Sequence, residues 1–157
     1  MTGRGVSVTE TVLLALWIGA ALLFALIVAP AAFAVLPTRT LAGALVSRVL
    51  PVIFYAGVVI GSIIVLLDLV GRTGSWARTA AAAVSALACA VAQLVVGTRI
   101  DRLRASIAGP LDALAADDAR RIAFGKLHAI SVGWLAVAML AAVIALALAV
   151  RAMPQRQ

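Results

Sequence analysis

The fold of this chain is decided by an uncharged stretch that reads LWIGAALLFALIVAP from Leu16 to Pro30. Residues 11–38 contain no charged side chain. Because about 20 helical residues cross the hydrocarbon core of a bilayer, the stretch predicts a transmembrane helix. Pro30 lies near its end, where a proline either kinks the helix by removing a backbone hydrogen bond or starts the exit from the membrane.

Composition places the whole chain in the membrane class. Hydrophobic residues make up 65% of the 157 residues, charged residues make up 12%, and mean hydropathy is +1.18. Soluble domains carry about 25% charged residues. The net charge of +7 arises from short blocks between apolar runs, where side chains meet anionic headgroups. We therefore expect the lipid bilayer and its anionic headgroups as partners, and we do not expect nucleic acid.

The apolar runs predict an all-α integral membrane protein, an up-and-down bundle of four transmembrane helices. We expect a single domain over residues 1–157, with spans at about residues 10–36, 41–70, 76–100 and 123–150.

Two local patterns add detail to this architecture. Thr9 and Glu10 favour the start of helix 1, since a hydroxyl followed by an acid suits a helix N-terminus. Between helices 3 and 4, an apolar stripe from Pro110 to about Arg121 predicts a short amphipathic helix on the membrane surface. A solvated, charged linker is the alternative.

The distribution of basic residues indicates an orientation. The side with the first and third connections has eight lysines and arginines, and the side with the termini and second connection has five. The eight are Arg39, Arg48, Arg99, Arg102, Arg104, Arg120, Arg121 and Lys126, and the five are Arg4, Arg72, Arg78, Arg151 and Arg156. The positive-inside rule then favours cytoplasmic first and third connections, in what we expect to be a bacterial inner membrane.

Several residues of the first two helices are expected to shape packing rather than chemistry. They are Trp17, Gly19, Phe24, Pro30, Gly57 and Gly61. The last two form a Gly-x-x-x-Gly pair, which lets a neighbouring helix approach closely. Such a pair also suits docking of a partner protein or a second copy of the chain.

The polar residues of the second connection have simple structural interpretations. Asp68 and Arg72 are four residues apart, a spacing that favours a local ion pair. Trp76 with Arg78 predicts an interfacial anchor for helix 3.

The candidate site is a set of polar residues expected near one membrane face, with one amide deeper in the bundle. No phosphate loop, metal cluster or nucleophile motif is present in the sequence. The candidate ligand-binding residues come from helices 2, 3 and 4: Arg48, Tyr55, Gln93, Arg99, Asp101, His128 and Ser131. Arg48 also suits a side chain that extends to the headgroups, and Gln93 is expected to bond across the bundle.

Metal or haem chemistry is a weaker possibility that depends on one residue. His128 is the single histidine, so two-histidine haem ligation within one chain is excluded. Histidines at such positions are more often structural than ligating. Cys89 lies in an apolar run and suits a small packing residue. We therefore expect no cofactor, with haem or a metal on His128 as the alternative.

Motifs along most of the chain, from Val12 to Val150, resemble those of a known family. They are Trp17 and Gly19, Phe24, Val28-Ala29-Pro30, Phe33, Ala42-Gly43, Leu50-Pro51, Phe54-Tyr55, Thr98-Arg99-x-Asp101-x-Leu103 and Phe124-x-x-Leu127-His128-x-x-Ser131. This set resembles the transmembrane protein 205-like domain-of-unknown-function family. The family often has an asparagine four residues after the serine, where this chain has Leu135.

The resemblance implies four transmembrane helices and no established catalytic activity. It also implies a suggested link to drug or metal-compound resistance, which concerns the eukaryotic members. More distantly, helix 1 is similar to those of four-helix copper-resistance membrane proteins of the D type and of the haem-associated protoporphyrinogen oxidase.

Three functions follow as hypotheses. The first is a non-enzymatic membrane protein that binds or transports a small ligand. The second is a haem- or metal-dependent membrane oxidoreductase that uses His128. The third is a structural subunit whose small-residue faces pack against a partner.

Overall fold

The computed structural model describes residues 2–71 and 75–152, with side chains from residue 8 onward. All regular secondary structure in these ranges is helical. Four helices are long and apolar enough to cross a membrane. The predicted all-α bundle of four membrane-spanning helices is therefore confirmed.

Helix 1 consists of three continuous pieces: an α-helix, Thr2–Leu23, a π-helical turn, Phe24–Val28, and a second α-helix, Ala29–Val35. It begins at Thr2, so the predicted start at Thr9 and Glu10 is wrong. The helix also continues past Pro30 instead of ending there. A widened turn directly before a proline eases the clash of its ring with the preceding turn.

The other three helices alternate in direction. Helix 2 is an α-helix, Arg39–Gly71, and contains Pro51. Helix 3 again has a π-helical middle, Val91–Gly97, between two α-helices, Trp76–Ala90 and Thr98–Ala105. Helix 4 is an α-helix, Ala119–Arg151.

The third connection differs from the prediction of a short amphipathic helix between Pro110 and Arg121. Its regular structure is one 3-10 turn, Leu111–Ala113. Leu114 is extended after this turn, and Asp118 caps helix 4 by accepting a hydrogen bond from the backbone N–H of Arg120. Arg120 and Arg121 therefore belong to the first turn of helix 4. Gly109 precedes Pro110 with a φ of 136°, a conformation that favours glycine.

The bundle closes around a core of aromatic and small residues. The indole N–H of Trp17 donates a 2.9 Å hydrogen bond to the carbonyl of Ile53 in helix 2. A Cβ added to Gly57 would lie 2.8 Å from the Trp17 ring and 2.5 Å from Sγ of Cys89. The close contact of helices 1, 2 and 3 in this layer therefore requires glycine at position 57.

The two ends of the bundle are packed differently. Helix 4 contacts the Thr2–Leu23 part of helix 1, whereas the Ala29–Val35 part of helix 1 packs against helix 2. Toward the termini helix 4 contributes fully buried alanines, including Ala142, Ala145 and Ala149. The end formed by the first and third connections is the end that holds a cavity.

Candidate functional site

A cavity of about 560 Å³ lies at the end of the bundle formed by the first and third connections. Helices 2, 3 and 4 form its walls, the third connection covers its mouth, and Phe33 of helix 1 lies at its edge. Phe33 is half exposed, so the cavity reaches the outer surface of the bundle beside helix 1.

Each wall is a regular helix face. The helix 4 residues that line the cavity have the spacing of a single α-helical face: Arg121, Phe124, Gly125, His128 and Ser131. The lining residues of helix 2 extend from Arg39 to Phe54, which is about 22 Å of helix at 1.5 Å per residue. The site is therefore long enough for an extended small molecule.

The polarity of the cavity changes along its length. The mouth carries most of the charged side chains, namely Arg39, Asp101, Arg104, Asp112 and Arg121. The inner part is formed mainly by apolar residues such as Leu50, Pro51, Phe54 and Ala92, with Gln93 and Ser131 as polar groups at depth. A molecule with a charged head and an apolar body matches this order.

None of the three arginines at the mouth has an acidic partner among the residues that the structure describes. Among the residues that the structure describes, neither Arg39 nor Arg104 forms an ion pair. Arg121 donates a 2.8 Å hydrogen bond from Nη1 to the carbonyl of Leu114. Asp112, a possible partner, instead accepts a 3.2 Å hydrogen bond from the hydroxyl of Thr40. The mouth therefore holds cationic groups that can receive an anion.

An aromatic residue positions one of these cations. The guanidinium carbon of Arg104 lies 5.0 Å from the centroid of the Phe124 ring, a cation–π contact. The rings of Phe124 and His128 are stacked, with centroids 6.2 Å apart and planes 5° apart. The planar guanidinium of Arg104 thus lies against an aromatic wall, while its N–H groups can donate to a carboxylate or phosphate.

Pro51 also changes the chemistry of the wall. It has no backbone N–H, so the carbonyl of Ser47 lacks the usual α-helical donor four residues later. Both residues line the cavity. This carbonyl is a candidate acceptor for a hydroxyl group of a ligand or for water.

The structure brings four of the seven predicted site residues together. Gln93, Asp101, His128 and Ser131 line the cavity. Arg48, Tyr55 and Arg99 are exposed and lie outside it. Gln93 lines the cavity wall, and no hydrogen bond across the bundle involves its amide in the described structure.

Sequence reasoning missed several cavity residues that carry charge or aromatic character. They are Phe33, Arg39, Arg104, Asp112, Arg121 and Phe124. Arg104 follows Asp101 by three residues and therefore shares its helix face, which is a signal that was present. The third connection gave no such signal, because its path depends on contacts such as Thr40 with Asp112.

The described residues provide no set of ligands for the metal or haem hypothesis. Within residues 8–71 and 75–152, no group of three or more histidine, cysteine, aspartate or glutamate side chains is placed to hold a metal ion. His128 is in the cavity wall against Phe124, and Cys89 is buried beside Gly57.

At the opposite end, three charged residues from three helices are buried together: Glu10, Asp68 and Arg78. Arg78 is 3% exposed, so the prediction of an interfacial anchor is wrong for this residue. Its guanidinium donates to both oxygens of Asp68, through Nε at 3.3 Å and through Nη2. Thr79 donates a third hydrogen bond to Asp68, at 2.7 Å. The predicted partner of Asp68, Arg72, lies outside the described residues.

The two glycines of the predicted pair on helix 2 pack inside the chain and do not form a docking surface for a partner. Gly57 and Gly61 are buried, and a Cβ on Gly61 would lie 2.8 Å from Cβ of Ala86 in helix 3. The predicted Gly-x-x-x-Gly pair is thus used inside the chain. Gly19 faces outward with no neighbouring atom within 4 Å among the described residues. The hypothesis of a structural subunit therefore loses the glycine pair, one of the two small-residue features on which it was based.

These observations define a membrane-embedded, all-α bundle with four apolar helices and a cavity at one end. The chain belongs to the family described as "Domain of unknown function (DUF4149)", whose profile matches residues 12–108. The match covers helices 2 and 3 with most of helix 1, whereas helix 4 lies outside it. Neither the curated proteins nor the solved structures include a significant match.

Proposed function

We propose that this chain is a non-enzymatic membrane protein whose cavity binds a small amphipathic anion, meaning a molecule with one carboxylate or phosphate head and an apolar body. The observation that carries the proposal is the pair of arginines, Arg39 and Arg104, that line a largely apolar cavity without an acidic partner among the described residues. Arg39 is exposed and Arg104 is half-buried, so the guanidinium groups of both are available to donate charge-assisted hydrogen bonds to a ligand anion.

The shape and charge of the cavity support this class of ligand. The mouth contains three arginines and two aspartates, so its side chains carry an excess of positive charge. The apolar inner part, from Leu50 to Phe54 on helix 2, suits an acyl or aryl body. Inorganic anions would leave that part empty, and a cationic amphiphile would be repelled by the arginines.

The route to the cavity favours entry from the membrane. Phe33 lines the cavity and is 51% exposed on the outside of the bundle. A molecule with an apolar body partitions into the bilayer, where its charged head stays at the headgroup level beside Arg39. Binding from the bilayer is the first step that transport of such a molecule requires.

We also propose that the cavity faces the cytoplasm of a bacterial cell. The cavity end carries eight lysines and arginines against five at the other end. Arg78, one of those five, is buried in an ion pair and does not meet headgroups. The difference in accessible basic residues is therefore larger than the residue count alone indicates.

Within its family, we propose that the chain belongs with the transmembrane protein 205-like members. The support is the Phe124-x-x-Leu127-His128-x-x-Ser131 motif in helix 4, which lies beyond the matched residues 12–108. In this chain the position after that motif holds a buried apolar residue, Leu135, in place of the asparagine common in those members.

The proposal is tested with purified protein in nanodiscs of zwitterionic lipid. The probe is cis-parinaric acid, a fluorescent carboxylate with an apolar chain, and its binding is followed by energy transfer from the protein's tryptophans. We expect saturable binding of the acid and not of its methyl ester. Arg104→Gln and Arg39→Gln should each weaken binding by about tenfold, because each removes a charged hydrogen-bond donor to the carboxylate.

The matched control is Arg48→Gln, which removes a cation from the same end of helix 2 but from its exposed face. It should leave the affinity unchanged. Equal affinity for the acid and its methyl ester would contradict the proposal, and so would an equal loss in the Arg48 and Arg104 variants.

A further inference from the structure

The most unusual polar group outside the cavity is the carboxyl of Glu10, at the opposite end of the bundle. Glu10 is 0% exposed. Its Oε2 lies 3.2 Å from Nη1 of Arg78. The geometry of that contact is not that of a hydrogen bond, and among the described residues neither oxygen of Glu10 has a hydrogen-bond partner. A buried carboxylate without such partners is rare and costly.

Among the residues whose side chains the structure describes, the charges around Glu10 do not balance if every group is ionised. Two carboxyls, Glu10 and Asp68, meet one guanidinium, that of Arg78. Asp68 receives two hydrogen bonds from Arg78 and one from Thr79, so it is the carboxylate that the guanidinium neutralises. An ionised Glu10 would therefore add an uncompensated negative charge inside the membrane.

We propose that Glu10 is a proton-binding site: its carboxyl holds a proton in the folded bundle, and the group that it forms with Asp68, Arg78 and Thr79 is neutral. Protonation also gives Glu10 a hydrogen-bond donor, which an ionised carboxylate lacks. Buried carboxyls of this kind are the type of group that membrane proteins use to take up and release protons.

The described residues that surround this buried group on helices 2, 3 and 4 agree with this assignment. Helix 2 contributes Asp68, and helix 3 contributes Arg78 and Thr79. The buried residues of helix 4 at this end are alanines, Ala145 and Ala149, and bring no titratable group. A metal cation is disfavoured as the ligand, because the Arg78 guanidinium occupies the position next to both carboxyls.

The direct test is infrared spectroscopy of the full chain in nanodiscs at neutral pH. A protonated carboxylic acid has a C=O stretching band that carboxylates lack, and this band shifts in heavy water. We expect such a band in the parent protein and its loss in Glu10→Gln. Asp118→Asn, which changes a partly exposed carboxyl, is the matched control and should retain the band.

A second measurement uses stability and does not depend on spectral assignment. If Glu10 is protonated, Glu10→Gln replaces one neutral group by another of the same shape, and the melting temperature should stay within about 2 °C of the parent. Asp68→Asn leaves Arg78 without its carboxylate and should lower the melting temperature by about 10 °C.

Three outcomes of these two measurements would overturn the assignment. They are the absence of a carboxylic acid band in the parent, a band that survives in Glu10→Gln, and a loss of stability in Glu10→Gln as large as in Asp68→Asn. A melting temperature that rises with added sodium would identify a metal cation as the ligand and would also overturn it. Neither measurement uses the cavity, so failure here is distinct from failure of anion binding.

Discussion

The arginine side chains at the two ends of this bundle have opposite environments. At the end with the termini, Arg78 is 3% exposed and its guanidinium is shared between Asp68 and Glu10. At the other end, Arg104 lies on the ring of Phe124 at the mouth of a cavity and has no ion pair among the described residues. The same side chain is thus part of the packed interior at one end and available to a ligand at the other.

This difference separates an arginine that stabilises the fold from an arginine that is available to a ligand. A buried ion pair is expensive to dismantle, because removing one partner leaves the other charge without compensation. Replacing an arginine at the cavity mouth costs the protein little stability, since water solvates the groups that remain. Substitutions at the end with the termini, the closed end, should therefore mainly change stability. Substitutions at the end with the cavity, the open end, should mainly change ligand binding.

The largest effect is expected from removal of the cation at the closed end. Arg78→Met leaves the buried Asp68 carboxylate without its cation and should reduce the free energy of unfolding by about 3–5 kcal/mol. The measurement is unfolding in mixed micelles with increasing fraction of denaturing detergent, followed by tryptophan fluorescence.

The matched control is Arg104→Met, the same substitution at the open end. It removes a cation–π contact with Phe124 and should cost less than about 1 kcal/mol. Similar losses in the two variants would show that the two ends do not differ in the way described.

Glycine substitutions offer a smaller test of the same contrast. Gly57→Ala introduces a Cβ 2.5 Å from Sγ of Cys89 and should destabilise the bundle by about 1–3 kcal/mol through overpacking. Gly43→Ala, on the same helix at the cavity, places its Cβ 3.6 Å from Nη2 of Arg104, an ordinary contact. It should stabilise helix 2 by about 0.5–1 kcal/mol through helix propensity.

The same micelle unfolding assay measures both glycine variants, and the sign of the change is decisive. Destabilisation by Gly43→Ala as large as that by Gly57→Ala would mean that the cavity end is as tightly packed as the core. A neutral Gly57→Ala would mean that Trp17 and Cys89 can move apart to accept a methyl group.

The four helices could be predicted because long apolar runs separated by charged blocks have few alternatives in a bilayer. The third connection could not, because its turn at Leu111–Ala113 is set by hydrogen bonds to other elements, such as that of Arg121 with Leu114. The pairing of Glu10, Asp68 and Arg78 could not be predicted from the sequence either. These residues come from three helices, and sequence patterns report neighbours within one helix.

The candidate site was half predictable, and helix geometry explains the division. Arg99 and Asp101 are two residues apart and therefore point to different faces, so both could not line one cavity. Arg48 and Tyr55 are seven residues apart and share a face, but their types do not say whether that face points inward. In the structure it points outward, and the adjacent face with Ser47 and Phe54 lines the cavity.

A partly exposed pair of the same residue types completes the contrast with the buried Asp68 and Arg78. At the open end, Asp118 accepts hydrogen bonds from the guanidinium of Arg120, at 3.1 Å and 2.8 Å, and from its backbone N–H at 2.8 Å. The side-chain hydrogen bond from Arg120 lowers the pKa of Asp118 from 3.8 to about 2. Because the pKa is lower in the folded state, the stabilising contribution is complete above pH 4 or so and is lost as the pH falls toward about 2.

This acid-dependent contribution should be the smallest of the effects, since the pair is in water. Asp118→Asn keeps a good helix N-cap but removes the titrating carboxylate. We expect the variant to melt close to the parent at low pH and slightly below it at pH 6, with circular dichroism as the measurement. Asp117→Asn, at the neighbouring position, should not change the difference between the two pH values. If Asp118→Asn instead lowered stability as much as Asp68→Asn does at pH 6, burial would not be what distinguishes the two ion pairs.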